Sequence, residues 1–337
     1  MPRTSGSSTI EYTLFVSAIV ACIIIAMDVN TGFFTRALRQ TLGITTDSMV
    51  EQASYVPKSH GPWAEVLFSG DDLSDFTGTG PGTVSIVNFE GEDVIFVDGY
   101  ERLVSSSGLM EIDPDKHYVL SGDFMSVGEE AGNLYLGLAP YEADGTLIKS
   151  EEAKRDGTPG TVQSISDTEI VVTEDVSDWR QALDYYACHR EIGFYLDGDT
   201  SHLPDYVISN YSDLYSYDPT EGAYSSTSGN TISLNDAIPD SIASQIVPGT
   251  TVVMNQTKGG TYIYAAAGSA NPPLDTWTTY TSDIITGTSF NTNTQFWPET
   301  AYVNVVFLAN YYNVGYVEPP DAEQQMYIRN VTLKEVP

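Results

Sequence analysis

The chain reads as a long N-terminal α-helix followed by an all-β sandwich with a small inserted β module. Three observations predict this class. A charge-free apolar run, Leu14 to Met27, lies near the start of the chain. From about Trp63 the texture changes to short Val-, Ile-, Tyr- and Phe-rich runs, separated by Gly, Asp, Asn, Pro and Ser clusters, the pattern of strands and turns. From there on no stretch keeps a helical apolar period at length.

The run Leu14 to Met27 is apolar all round, so a helix there is wholly buried, in lipid or among other helices. A bilayer core asks for about 20 residues. Ile10 to Val29 reaches that length only by including Glu11 and Asp28. Arg3 before the run and Asp28 after it place the N-terminus in the cytoplasm and the rest of the chain outside. Phe33, Phe34, Ala37, Leu38 and Leu42 continue at helical spacing, with Arg36, Arg39 and Gln40 among them. Gly32 kinks the helix or ends its first segment. A helix from Ser7 to Thr41 would be about 50 Å long. Its second half reads equally as an amphipathic neck under the external region.

Glu11 is the anomaly of this segment. A carboxylate at the edge of a buried helix is costly alone, so it calls for a partner. Three readings compete. A secretory signal wants a basic start and a small-residue cleavage site. One arginine and the sequence Ile-Ala-Met-Asp-Val-Asn supply neither. A plain membrane anchor explains the apolar run and leaves Glu11 unexplained. The third reading rests on Gly6-Ser7-Ser8-Thr9-Ile10-Glu11-Tyr12 running into an aliphatic helix. This stretch resembles the processing site of the type IV pilin superfamily, and its Flp (Tad) branch in particular.

That resemblance implies a leader of residues 1–6 and a helix over 7–43. A prepilin peptidase would cut after Gly6, where no side chain obstructs the scissile backbone. Ser7 would become the mature N-terminus. Glu11 would pair with the N-terminal ammonium of a neighbouring subunit. Each charge is expensive to bury alone, whereas the neutralised pair is tolerable in a dry filament core and fixes register. Tyr12 would pack between neighbouring helices, its hydroxyl needing a polar partner. The implied partners are further copies of the chain in a helical filament, the prepilin peptidase and pilus assembly machinery, and the cytoplasmic membrane before assembly. The implied location is an extracellular pilus. Flp pilins are little more than the helix, whereas this chain has 337 residues. It therefore fits a minor, tip-located or unusually large pilin.

The formal net charge is -32, from 46 acidic and 14 basic residues. That excludes nucleic acid as a partner, because phosphate binding needs clustered Lys and Arg. It also disfavours anionic membrane surfaces. The charge reads as solubility, with divalent-cation binding as the sharper alternative. Cys22 lies in the apolar run and Cys188 far from it, so no internal disulfide framework is expected. Stability must come from a core, and the external residues suffice for one large or two small domains.

Residues 44–62 read as a linker and 63–337 as the β region. Thr83 to Phe89, His117 to Phe124, Asn133 to Leu138 and Tyr302 to Ala309 read as sandwich strands. Two segments carry a second resemblance. One is Met110 to Gly122 with Leu134 to Gly145. The other is Trp277-Thr-Thr-Tyr280, then Phe296 to Phe307, closing with Tyr327 to Leu333. Together they resemble a jelly roll of the carbohydrate-binding-module kind, also called galactose-binding-like. That implies a double-sheet sandwich and surface glycans as a partner. Between about 160 and 250, runs such as Ser166 to Thr173, Ile192 to Leu196, Tyr206 to Ser209, Asn230 to Leu234 and Thr250 to Val253 suggest the inserted β module.

No HExxH, G-x-S-x-G, P-loop or dinucleotide fingerprint is present, and no enzymatic activity is expected. His60, His117, His189 and His202 are scattered. Acidic residues are too numerous for a glycosidase pair to be picked from sequence. Modules of the resembled kind often hold a structural calcium ion, and Asp71, Asp72 and Asp75 offer oxygen ligands near the start of the sandwich. Arg329 stands where such modules often have aspartate. For sugar stacking the candidates are Trp277, Tyr280 and Trp297, then Tyr262 and Tyr264, each weighed against a place in the core. The Tyr-, Ser-, Asp- and Gly-rich stretch Tyr206 to Gly229 reads as an adaptable polar surface or a solvated loop.

Overall fold

Three antiparallel sheets account for nearly all the regular structure in the computed structural model, which describes residues 65–70, 72–182, 185–210, 216–256, 262–312 and 324–337. These residues belong to one unit, Pro62–Pro337. The expected leader, the expected helix over 7–43 and the expected linker, with Gly6, Ser7, Glu11, Tyr12 and Cys22, lie outside the described residues, as does Asp71. Among the described residues no helix is long and apolar enough to cross a membrane.

Sheet 1 contains β1 (Glu65–Gly70), β3 (Thr83–Phe89), β4 (Glu92–Asp98), β7 (His117–Gly128), β17 (Thr278–Thr281) and β19 (Gln324–Val336). Its order is β17-β7-β19-β4-β3, with β1 added on β19. One strand serves two neighbours on the same side because β19 is interrupted. Its first half pairs with β4 and its second with β1, and the register shifts between Arg329 and Thr332. Asn330 takes the left-handed conformation at that bulge, with φ 54°. Asparagine tolerates this better than most residues.

Sheet 2 contains β2 (Phe76–Gly78), β5 (Glu101–Ser105), β6 (Met110–Glu111), β8 (Leu134–Tyr141), β16 (Ile263–Ala270) and β18 (Tyr302–Ala309). Its order is β16-β8-β18-β5-β2, with β6 on β18. The two sheets close on one apolar core because alternate residues point inward. Ile95 and Val97 come from β4, Leu120 and Phe124 from β7, and Val303, Val305 and Phe307 from β18. A chain of edge-to-face rings crosses that core. Phe68 meets Phe76 at 5.5 Å, Phe76 meets Phe307 at 5.1 Å, and Phe307 meets Phe124 at 5.9 Å. Phe68 and Phe124 belong to sheet 1, Phe76 and Phe307 to sheet 2. Phe307 is fully buried at the centre. Phe307→Ala is therefore expected to destabilise the fold by about 3–5 kcal/mol, read as a lower urea midpoint at unchanged slope.

Sheet 3 is built from β9 (Arg155–Ile165), β10 (Glu169–Val172), β11 (Glu191–Tyr195), β12 (Tyr206–Ile208), β13 (Tyr224–Ser228), β14 (Thr231–Leu234) and β15 (Thr251–Asn255), in the order β12-β11-β15-β9-β10-β14-β13. It has its own core, including Ile170, Trp179, Ile192, Phe194, Tyr224, Ile232 and Val252. β8 and β16 pair directly in sheet 2 although all of sheet 3 lies between them in the chain. Trp179 organises the second core. It is buried against Tyr224, and its Nε1 donates to the Thr158 carbonyl at 2.7 Å. Gly157 lets the chain pass it. Its φ is +71°, and a Cβ there would lie 2.6 Å from Trp179 Cδ1. Gly157→Ala should cost about 2 kcal/mol or more, through backbone strain and overpacking together. Thermal melting with tryptophan fluorescence would report it.

Candidate functional site

Residues of sheet 1 that alternate away from the core form its outer face. A tight hairpin sets their parity. Glu90 and Gly91 both have positive φ, 53° and 93°, as a two-residue type I′ turn requires. The turn pairs Phe89 with Glu92, Val87 with Val94 and Ser85 with Phe96. Register then carries the rows across the sheet. Phe96 lies opposite Tyr327, and Tyr327 opposite Met125. Beside them Arg329 lies opposite Asp123, and Asp123 opposite Thr279. Trp277 stands two residues before Thr279.

The outward side of a sandwich strand is normally polar. Here it carries four half-buried aromatic side chains. Phe89 packs on Tyr327 at 4.8 Å, Tyr327 on Phe96 at 5.4 Å, and Phe89 meets Trp277 edge-on at 6.3 Å. Val94 and Met125, on the same face, are only 1% and 2% exposed. The rings thus form a roof over the sheet rather than isolated surface residues.

Polar groups border this roof. Arg329 Cζ sits 4.2 Å from the Trp277 ring centroid, a cation–π contact. Its Nη1 donates to Glu92 Oε2, and its Nε lies at ion-pair distance, 3.6 Å, from Asp123 Oδ2. Asp123 also accepts from Thr279 Oγ1 at 2.5 Å and from Asn330 Nδ2 at 2.8 Å. Such ties fix the guanidinium and the carboxylate beside the ring. The indole Nε1 of Trp277 is buried without a hydrogen-bond partner. The face can therefore offer stacking surfaces together with fixed donors and acceptors.

The other candidates separate from Trp277. Tyr280 lies on the inward side of β17, where it packs against Phe124 at 6.0 Å, and burial pushes its hydroxyl pKa up. Trp297 is 0% exposed, and its Nε1 donates to the Thr292 carbonyl at 3.1 Å. It has no ring face to offer a ligand and is corrected to a core residue. Tyr262 and Tyr264 lie on the outer face of sheet 2, in a chain of rings with Tyr135, Tyr311, Tyr100 and Tyr312. Burial raises the Tyr264 hydroxyl far above its ordinary pKa, and Tyr262 is 8% exposed. These tyrosines pack chiefly on one another.

Asp72 and Asp75 act as turn caps. Asp72 Oδ1 accepts from the Ser74 amide at 3.2 Å, and Asp75 Oδ2 accepts from the Asp72 amide at 3.0 Å, across the 3-10 turn Leu73–Asp75. Among the described residues no group of three or more His, Cys, Asp or Glu side chains could hold a metal ion. Asp71, the third residue of the calcium expectation, lies outside the described residues. In the stretch Tyr206 to Gly229, the described part is tied down from below. Arg190, fully buried, donates to the Tyr224 carbonyl at 2.6 Å and the Asp218 carbonyl at 2.9 Å.

Sequence reasoning missed Phe89, Phe96 and Tyr327, and read Arg329 only as a departure from a calcium pattern. The signal was present as parity. Phe96 alternates with the core residues Ile95 and Val97, and Tyr327 with Met326 and Ile328.

No known family model matches the chain, and no curated protein matches it. Among solved structures it is similar to the CBM22-1 xylan-binding domain from Paenibacillus barcinonensis Xyn10C. Identity is 6%, coverage is 81% of this chain and 92% of that one, and the TM-score is 0.31. It is also similar to the C-terminal family 22 carbohydrate binding module of Clostridium thermocellum Xyn10B. There identity is 8%, coverage is 83% and 96%, and the TM-score is 0.30.

Proposed function

We propose that this chain is a cell-surface subunit whose β-sandwich binds glycans through the outer face of sheet 1. The observation that carries the reading is the aromatic roof of Phe89, Phe96, Tyr327 and Trp277, bordered by Arg329 and Asp123. A pyranose ring presents C–H groups on one face and hydroxyls around its rim. Aromatic side chains take the first, and paired carboxylate and guanidinium groups take the second. The test is retention of the full-length chain, solubilised in detergent, on an array of surface and cell-wall glycans. The reading expects retention on one glycan class and competition by the free oligosaccharide. Absence of retention across the array would defeat it.

A second element of the proposal rests on Gly6, Glu11 and Tyr12. The N-terminal segment assembles the subunit into a type IV filament of the Flp/Tad kind, and the sandwich is displayed on it. Protein sheared from cells should then begin at Ser7. A chain found only in membranes and retaining Met1 would instead be an anchored glycan-binding protein that does not polymerise.

A further inference from the structure

Every sheet edge among the described residues is blunted except one. β2, β6, β12 and β17 are two to four residues long. β1, β13 and β16 are longer, and each breaks register against its neighbour. Short strands and bulges are the ordinary devices that keep an edge from pairing with another chain. β3 has neither. Its seven residues pair one for one with β4, from Thr83 opposite Asp98 to Phe89 opposite Glu92. On its other side no strand follows among the described residues. Alternate backbone N–H and C=O groups on that side therefore have no ladder partner among them.

The side chains of this edge are as unguarded as its backbone. Thr-Val-Ser-Ile-Val-Asn-Phe has no charge and no proline, in a chain of 46 acidic and 14 basic residues. Charged side chains and proline are the other common guards of an edge. Val84 and Ile86 point to the core side, opposite Val97 and Ile95. Val97 and Ile95 are 0% exposed, whereas Ile86 is 36% exposed, so sheet 2 does not reach far enough to cover it. On the opposite face Val87 and Phe89 are half-buried. An added strand would cover apolar groups on both faces of the sheet as well as the open backbone.

We infer that β3 is an assembly edge whose occupant is β3 of a second copy of this chain, antiparallel and centred on Ile86. The segment is self-complementary in that register. Ile86 meets Ile86, Val84 meets Asn88, Ser85 meets Val87 and Thr83 meets Phe89, so all seven residues pair and like faces coincide. Just beyond them Glu90 meets Gly82 rather than another carboxylate. Charge favours this edge for a copy of the same chain. Two molecules of formal net charge -32 repel wherever their acidic surfaces meet. Along β3 no carboxylates meet. Those of the two β4 strands stay three strand spacings apart, about 14 Å, beyond the screening length at physiological salt. The pairing draws on neither the glycan-binding reading nor the N-terminal segment.

Cysteine cross-linking of the full-length chain in detergent, in a Cys22→Ser background, tests this. Directly opposite residues have Cβ atoms about 4.5–5.5 Å apart, within reach of a disulfide after a small shift. Ile86→Cys should give a disulfide-linked dimer under mild oxidation. Val84→Cys alone should not, whereas Val84→Cys mixed with Asn88→Cys should. Ile86→Lys sets like charges face to face across the pairing. It should weaken association at least tenfold in sedimentation equilibrium, with an unchanged melting temperature because the position is exposed. Cross-linking of Val84→Cys equal to that of Ile86→Cys would mean random collision and overturn the inference. So would association indifferent to Ile86→Lys. A monomer at every concentration would overturn it too, the result expected if another segment of the chain already covers the edge.

Discussion

Trp277→Ala is expected to lower affinity for the retained glycan by roughly 30-fold, about 2 kcal/mol, the loss typical of an aromatic anchor. The ring has two roles. It is one wall of the aromatic roof, and it carries the Arg329 guanidinium at 4.2 Å. Removing it takes away a stacking surface and frees the group that orients Asp123. The cost to stability should be small, about 1 kcal/mol, because the ring is half-buried and touches the sheet from outside the core. Titration calorimetry beside a melting curve separates the two effects. Trp277→Phe keeps a stacking face and should recover most of the affinity. A loss as large in Trp277→Phe as in Trp277→Ala would point to the indole rather than to stacking.

Glu11→Ala is expected to abolish filament assembly while the sandwich remains folded. In a helix core free of water, the N-terminal ammonium of an incoming subunit has no favourable place unless an opposite charge meets it. In the proposed filament alanine would leave that ammonium unpaired, a penalty of several kcal/mol repeated at every subunit. Glu11→Gln should fail as well, since it keeps the shape and removes the charge. Sheared-surface fractions should lack the protein, membrane fractions should retain it, and glycan binding by the detergent extract should match wild type. Filaments at wild-type abundance in both variants would sink the pairing argument.

Strands were legible because β-branched and aromatic runs alternate with turn residues. Thr83 to Phe89 and Tyr302 to Ala309 are strands at those bounds. Pairing was not legible. β8 and β16 are neighbours although all of sheet 3 separates them in the chain, and nothing local announces so distant a partner. The aromatic candidates show the same division. Tyr280 lies on β17, where period two turns it inward, whereas Trp277 immediately precedes the strand and reaches the outer face from outside it. Trp297 lies outside any strand, where parity has no meaning, and its burial depends on the loop that wraps it. Asp72 and Asp75 have the spacing of a capping pair, and both cap the turn Leu73–Asp75.

The most direct test of the glycan-binding account uses the tryptophans themselves. Of the four tryptophans, Trp63 lies outside the described residues and is replaced by Phe for this test, Trp179 and Trp297 are 1% and 0% exposed, and Trp277 is half-buried on the outer face. Iodide quenching of tryptophan fluorescence should therefore fall when the retained glycan saturates the full-length chain. The same titration on Trp277→Phe should show no such protection while the glycan still binds. Saturation without protection in the chain that keeps Trp277 would place the sugar elsewhere and contradict the account.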